Sequence, residues 1–110
     1  VTENFLTAYP NLKGIFTVND MMAIGAGQAV EAAGKRDQIL ICGFDGQPDA
    51  AQKIIEGTMD ATIAQKPATM GKMIVQSVKD YFDGKEVERT VDTGCDVVNQ
   101  DNAQEYLVWH

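Results

Sequence analysis

Three polar residues each close an apolar, β-rich run: Asn19 after residues 14–18, Asp45 after residues 39–44, and Gln65 after residues 60–64. An ionised aspartate only accepts hydrogen bonds, whereas asparagine and glutamine amides both donate and accept. Such a set suits vicinal hydroxyl groups, which do both. A charge-assisted bond to Asp45 would contribute about 1.5–3 kcal/mol net where water is excluded. Each residue also has a purely local use: Asn19 as a helix cap, Asp45 with Gly46 as a turn, and Gln65 as an exposed loop amide.

The elements that would position these side chains are legible from periodicity. Residues 2–9 carry a short helical pattern stopped by Pro10 and Asn11. Gly-Ile-Phe-Thr-Val at 14–18 reads as a strand covered on both faces, and Asn19 or Asp20 can cap the helix that follows. That helix, 20–33, places Met22, Ala26, Ala29 and Ala33 at three- and four-residue spacing, with Met21 and Met22 read as core. Residues 35–37 make a polar turn. A second buried strand spans 39–44, and a helix from about Pro48 buries Ala51, Ile54 and Ile55. A third strand spans 60–64. Pro67 disfavours helix before it and suits a first helical turn, so a helix runs 67–82 with Met70, Ile74, Val78 and Phe82 on one stripe. Gly34, Gly57 and Gly84 close the three longer helices. Residues 85–89 form a solvated link, 90–98 are extended, and 101–107 form a short helix capped by Asp101.

Strands alternating with helices define an α/β fold: a three-layer, doubly wound, mainly parallel sheet with strands pointing one way. Its carboxyl edge, where such sheets bind ligands, would gather Asn19, Asp45 and Gln65. Strands lie about 4.8 Å apart, so three adjacent tips span about 10 Å, the size of a monosaccharide.

Composition sets further bounds. The 110 residues, 45% apolar and 23% charged, suit at most one small globular domain, and the net charge of −7 with scattered basic residues disfavours nucleic acid or anionic membrane. Cys42 and Cys95 lack neighbouring ligands at metal spacing and are read as free, buried thiols; no metal or cofactor is expected. Nor does any apolar run approach the roughly 20 residues of a membrane span. Asp45 lacks the paired aspartate of a phosphoryl-transfer site, no phosphate loop is present, and the only histidine, His110, is terminal, so no enzyme is expected.

The segments Val-Asn-Asp-Met-Met-Ala-Ile-Gly-Ala at 18–26, Gly-Phe-Asp-Gly-Gln-Pro-Asp at 43–49 and Ala-Thr-Ile-Ala-Gln-Lys-Pro at 61–67 resemble, in order and spacing, type I periplasmic sugar-binding proteins of ABC transporters, in their carboxyl-terminal portion and nearest the ribose-binding branch. The resemblance covers residues 4–98. It implies that Asn19, Asp45 and Gln65 contact sugar hydroxyls between two lobes, that Gln65, Lys66 and Pro67 form a hinge crossing, and that an ABC membrane permease receives the sugar. On this resemblance, residues 1–65 belong to the carboxyl-terminal lobe, 66–90 carry a helix of the other lobe, and 91–110 form a return crossing and tail. Location would be periplasmic or extracytoplasmic, or a cell-surface lipoprotein in a Gram-positive parent.

Relative to complete members, the resemblance implies that most of one lobe is missing here, with its sugar-stacking aromatics and arginines. Weak sugar binding by the 110 residues alone is therefore expected, as is dimerisation or domain swapping through Met70, Ile74 and Val78. The opening on Val1 suggests a processed or cut piece. The rival reading is the effector domain of a LacI-type sugar-responsive transcription regulator, which shares the fold and similar motifs; the acidic chain and the Ala-Thr-Ile-Ala-Gln-Lys-Pro match favour transport.

Overall fold

Apolar runs alternating with capped helices produce one four-stranded sheet. In the computed structural model, which describes residues 1–109, the strands lie in the order β1 (Gly14–Phe16), β2 (Leu40–Asp45), β3 (Ala61–Ala64) and β4 (Asp96–Asn99). The helices are α1 (Thr2–Ala8), α2 (Asp20–Ala32), α3 (Pro48–Ile55) and α4 (Pro67–Phe82), with 3-10 turns at Arg36–Gln38 and Ala103–Tyr106. His110 lies outside the described residues.

The expected α/β class with a mainly parallel sheet is observed: β1 pairs with β2, and β2 with β3, in parallel. The expectation that all strands point one way fails at β4, which pairs antiparallel to β3 with Ala64 opposite Asp96. The cause is the path between them. At about 1.5 Å per residue, α4 carries the chain about 24 Å away, and the following residues run back without regular structure. The chain thus re-enters the sheet at the end it left.

Because consecutive strands are neighbours, right-handed crossovers put α2 and α3 on the same face. There Ile41, Ala64 and Val98 of the sheet pack with Leu6, Ala23, Val30, Ala50, Ala51, Ile54 and Met59. The alternate residues point the other way, where Phe16, Leu40 and Val97 are exposed and Phe44 and Ile63 half-buried. β1 is therefore an open edge strand rather than one covered on both faces. Of the expected layers, these residues supply the sheet and one helical layer.

Helix α2 is rotated relative to its sequence reading. Ala23, Ala26, Gly27 and Val30 are buried, while Met21 and Met22 are exposed rather than core. Close approach decides the phase: a Cβ on Gly27 would meet Thr58 Cγ2 at 2.8 Å, so the narrowest face of the helix, not its largest side chains, lies inward. Gly34, Gly57 and Gly84 do take left-handed conformations beyond the helix ends, with φ of +65°, +83° and +74°.

Two further expectations are corrected. Asp101 does not cap the last helix; Asn102 precedes that 3-10 turn, its Oδ1 accepting from Asn99 N at 2.9 Å and its Nδ2 donating to Val97 O at 2.9 Å. Bonding back to β4 takes the side chain away from any cap. Cys42 and Cys95 are free thiols, but Cys42, which alternates with the buried Ile41 and Gly43 of β2, is only half-buried, and Cys95, just before β4, is exposed.

Helix α4 buries no residue. Its projection gives a radius of gyration of 17.9 Å and a long axis of 59 Å, against a radius of about 13 Å for a compact domain of this size. Among the described residues, no helix is long and apolar enough to cross a membrane.

Candidate functional site

The consecutive order of β1, β2 and β3 brings their carboxyl ends side by side. Asn19, Asp45 and Gln65 all stand at this edge, and all are half-buried. Asp45 and Gln65 meet directly, with Gln65 Nε2 donating to Asp45 Oδ1 at 2.9 Å. One carboxylate oxygen and the glutamine carbonyl are thereby turned to other work. Asn19 bonds to neither. Its Oδ1 accepts from Met22 N at 2.9 Å and caps α2, leaving its amide N–H groups to donate elsewhere.

Asp45 has φ of +120°, the one positive value at a non-glycine among the described residues, and Gly46 follows at +75°. A non-glycine residue in such a region costs on the order of 1–3 kcal/mol, and that strain persists only where the surroundings enforce it. A Cβ on Gly46 would also overlap Ala64 of β3, so glycine is needed for the loop to cross the strand tip.

Behind this loop lies Asp20, which the sequence offers only as an alternative cap. It is fully buried. Thr62 Oγ1 of β3 donates to its Oδ1 at 2.5 Å, and Gln47 N of the β2–α3 loop donates to its Oδ2 at 2.7 Å. Burial pushes its carboxyl above the usual carboxylate range; the Thr62 hydroxyl and Gln47 amide oppose this, and the Asp45 charge adds to it. No sequence signal marked it: an acid beside a cap is ordinary, and only the fold shows that a Cβ on Gly43 would overlap Asp20 Oδ1.

Beyond Gln65, Lys66 Nζ pairs with Asp96 Oδ1 at 2.9 Å, and Tyr106 OH lies 3.3 Å from Asp96 Oδ2. The hydrogen bond and charge of Asp96 raise the Lys66 ammonium, and Lys66 in turn lowers the Asp96 carboxyl. This ties the chain leaving β3 to the chain entering β4, beside an open hollow of about 400 Å³ lined in part by Gln65, Thr69 and Tyr106. Asp96 and Tyr106 were not singled out from sequence, because nothing local marks a partner thirty residues from Lys66. No group of three metal-ligating side chains occurs among the described residues.

A sheet edge that presents amides and a carboxylate, with a buried acid behind them, has the layout of an α/β module that takes ligands at its carboxyl edge. The model of the periplasmic binding protein domain matches residues 1–86, and the chain belongs to that family, a solute-binding rather than a catalytic one. It is similar to a ribose import binding protein of Bacillus subtilis (40% identical over 91 residues, 83% of this chain and 29% of the relative). A D-allose-binding periplasmic protein of Escherichia coli is 43% identical over 83 residues, covering 72% of this chain and 27% of the relative. Among solved structures, a periplasmic solute-binding protein of an ABC transporter from Actinobacillus succinogenes, with bound D-allose, superposes with a TM-score of 0.84 at 36% identity, over 96% of this chain and 37% of that one. The chain thus spans about a third of the length of these relatives.

Proposed function

We propose that the chain forms the carboxyl-terminal sugar-binding part of an extracytoplasmic solute-binding protein, which takes a monosaccharide of the ribose or allose type and delivers it to the membrane permease of an ABC importer. The bonded Asp45–Gln65 pair, held at adjacent strand tips with a strained backbone at Asp45, carries this reading. Relatives named for ribose import and D-allose binding support the ligand class.

In this reading Asp45 accepts from one sugar hydroxyl, Gln65 accepts from or donates to its neighbour, and the Asn19 amide donates to a third. Gln65, Lys66 and Pro67 are the hinge crossing, α4 belongs to the opposite lobe, and β4 leads back. The absence of any buried residue on α4 fits a helix whose packing partners lie elsewhere.

Calorimetric titration of ribose, allose, xylose and galactose into the complete polypeptide carrying these residues, and into the 110-residue chain, tests the reading. The complete polypeptide should bind one of them far more tightly, and Gln65→Ala should weaken binding at least about tenfold, or about 1.4 kcal/mol. Equal affinity in both proteins, or no loss in Gln65→Ala, would show the site to be misplaced.

A further inference from the structure

We infer that Asp20 is a positioning residue for the ligand edge: without touching ligand, it holds Asp45 in its strained conformation and fixes the three strand tips relative to one another. The inference rests on the sugar-binding role of Asn19, Asp45 and Gln65. The connectivity points to it. Asp20 follows Asn19 in the chain, so its own placement fixes that residue at the first tip. Around the second tip it acts on both flanks of Asp45: the missing Cβ of Gly43, two residues before, makes room for its carboxylate, and the Gln47 amide, two residues after, is bound to it. On the third strand it holds Thr62, three residues before Gln65. One carboxylate therefore reaches all three ligand-bearing segments.

The ionised form holds both partners most strongly. Both oxygens act as acceptors, from a hydroxyl and from a backbone amide. A proton on Oδ2 would face the Gln47 N–H with another donor, and one on Oδ1 would be taken by the Thr62 hydroxyl and leave the loop a neutral, weaker acceptor. Of the titratable groups near Asp20, Asp45 of β2 faces it and Cys42 feels its charge from the other face of the sheet; Thr62 of β3 and Ala23 of α2 bring no charge. Because burial raises the Asp20 carboxyl, its protonation begins at a higher pH than that of an ordinary surface carboxylate. Ligand affinity should accordingly fall as pH drops through that raised value.

The test uses the complete polypeptide with Asp20→Asn and Thr62→Val. Asparagine keeps the shape and so preserves folding, but it replaces the charge-assisted acceptor of the Gln47 amide with a neutral one that holds the loop less tightly. Ribose and allose affinities are measured from about pH 8 down to about pH 4, with amide hydrogen exchange at Gln47 in the sugar-free protein. Asp20→Asn should weaken binding about tenfold at neutral pH, abolish the acid-side decline that wild type shows, and speed Gln47 exchange; Thr62→Val should speed the same exchange. Unchanged affinity, pH profile and Gln47 exchange in both variants would overturn the inference, even if the thermal midpoint fell. Should the wild type bind neither sugar, the sugar reading fails, and Gln47 exchange alone decides whether Asp20 holds the loop.

Discussion

Gly43→Ala puts a single methyl where the structure has no room. A Cβ there overlaps Asp20 Oδ1 and lies 3.2 Å from both Ala23 Cβ and Met59 Cε. Ala23 and Met59 are themselves buried, with 0% and 1% exposure, so neither can swing into solvent. The cost has two parts. Overpacking a dense core costs about 1–3 kcal/mol, and a displaced carboxylate loses hydrogen bonds worth about 1.5–3 kcal/mol each. These are not additive, because moving the carboxylate relieves the overlap. With one of its two bonds lost, the net destabilisation is about 3 kcal/mol. Gly25 is the matched control: it lies in α2 with nothing within 4 Å of an added Cβ, so Gly25→Ala should gain about 0.5–1 kcal/mol from helix propensity. Urea unfolding of both variants reads the difference, with the slope unchanged. A loss below about 1 kcal/mol in Gly43→Ala would mean that Asp20 moves aside freely and braces nothing.

Two other outcomes can be checked. Arg36 donates from Nε to Gly57 O at 2.6 Å and from Nη1 to Ile39 O at 3.0 Å, while Nη2 pairs with Asp60 at 3.0 Å. A lysine ammonium cannot span that fork, so Arg36→Lys should cost about 1–2 kcal/mol in urea unfolding; an unchanged midpoint would show the bonds to be dispensable. The 110-residue chain exposes Ile74, Val75, Val78 and Phe82 on α4 and Phe16, Leu40 and Val97 on the sheet. Light scattering should find it dimeric or larger, and a compact monomer at high concentration would refute that expectation.

Where local chemistry decides structure, the sequence was sufficient. The start of α4 at Pro67 and the glycines after α2, α3 and α4 follow from backbone sterics, which act within a few residues. The tips holding Asn19, Asp45 and Gln65 follow from apolar runs ending in polar residues. What was missed depends on distant partners. The phase of α2 was set by the approach of Gly27 to Thr58, and the direction of β4 by the path back from α4. Asn102 displaced Asp101 as the residue organising the last turn because its bonds reach back to Asn99 and Val97. Asp20 looked like half of a capping pair; only the fold brings Thr62 and Gln47 to it and reveals a buried acid with two donors.

The antiparallel pairing of β3 with β4 also has a mechanical consequence. Everything from Gln65 to Cys95 leaves and returns through a neck of two adjacent strands, cross-tied by the Lys66–Asp96 pair. Both strands are held in the four-stranded sheet up to Ala64 and Asp96, where the paired register ends, so the excursion joins the sheet through residues 65 and 95. Any force on the excursion is therefore delivered to the sheet beside Gln65, at the edge that carries Asp45.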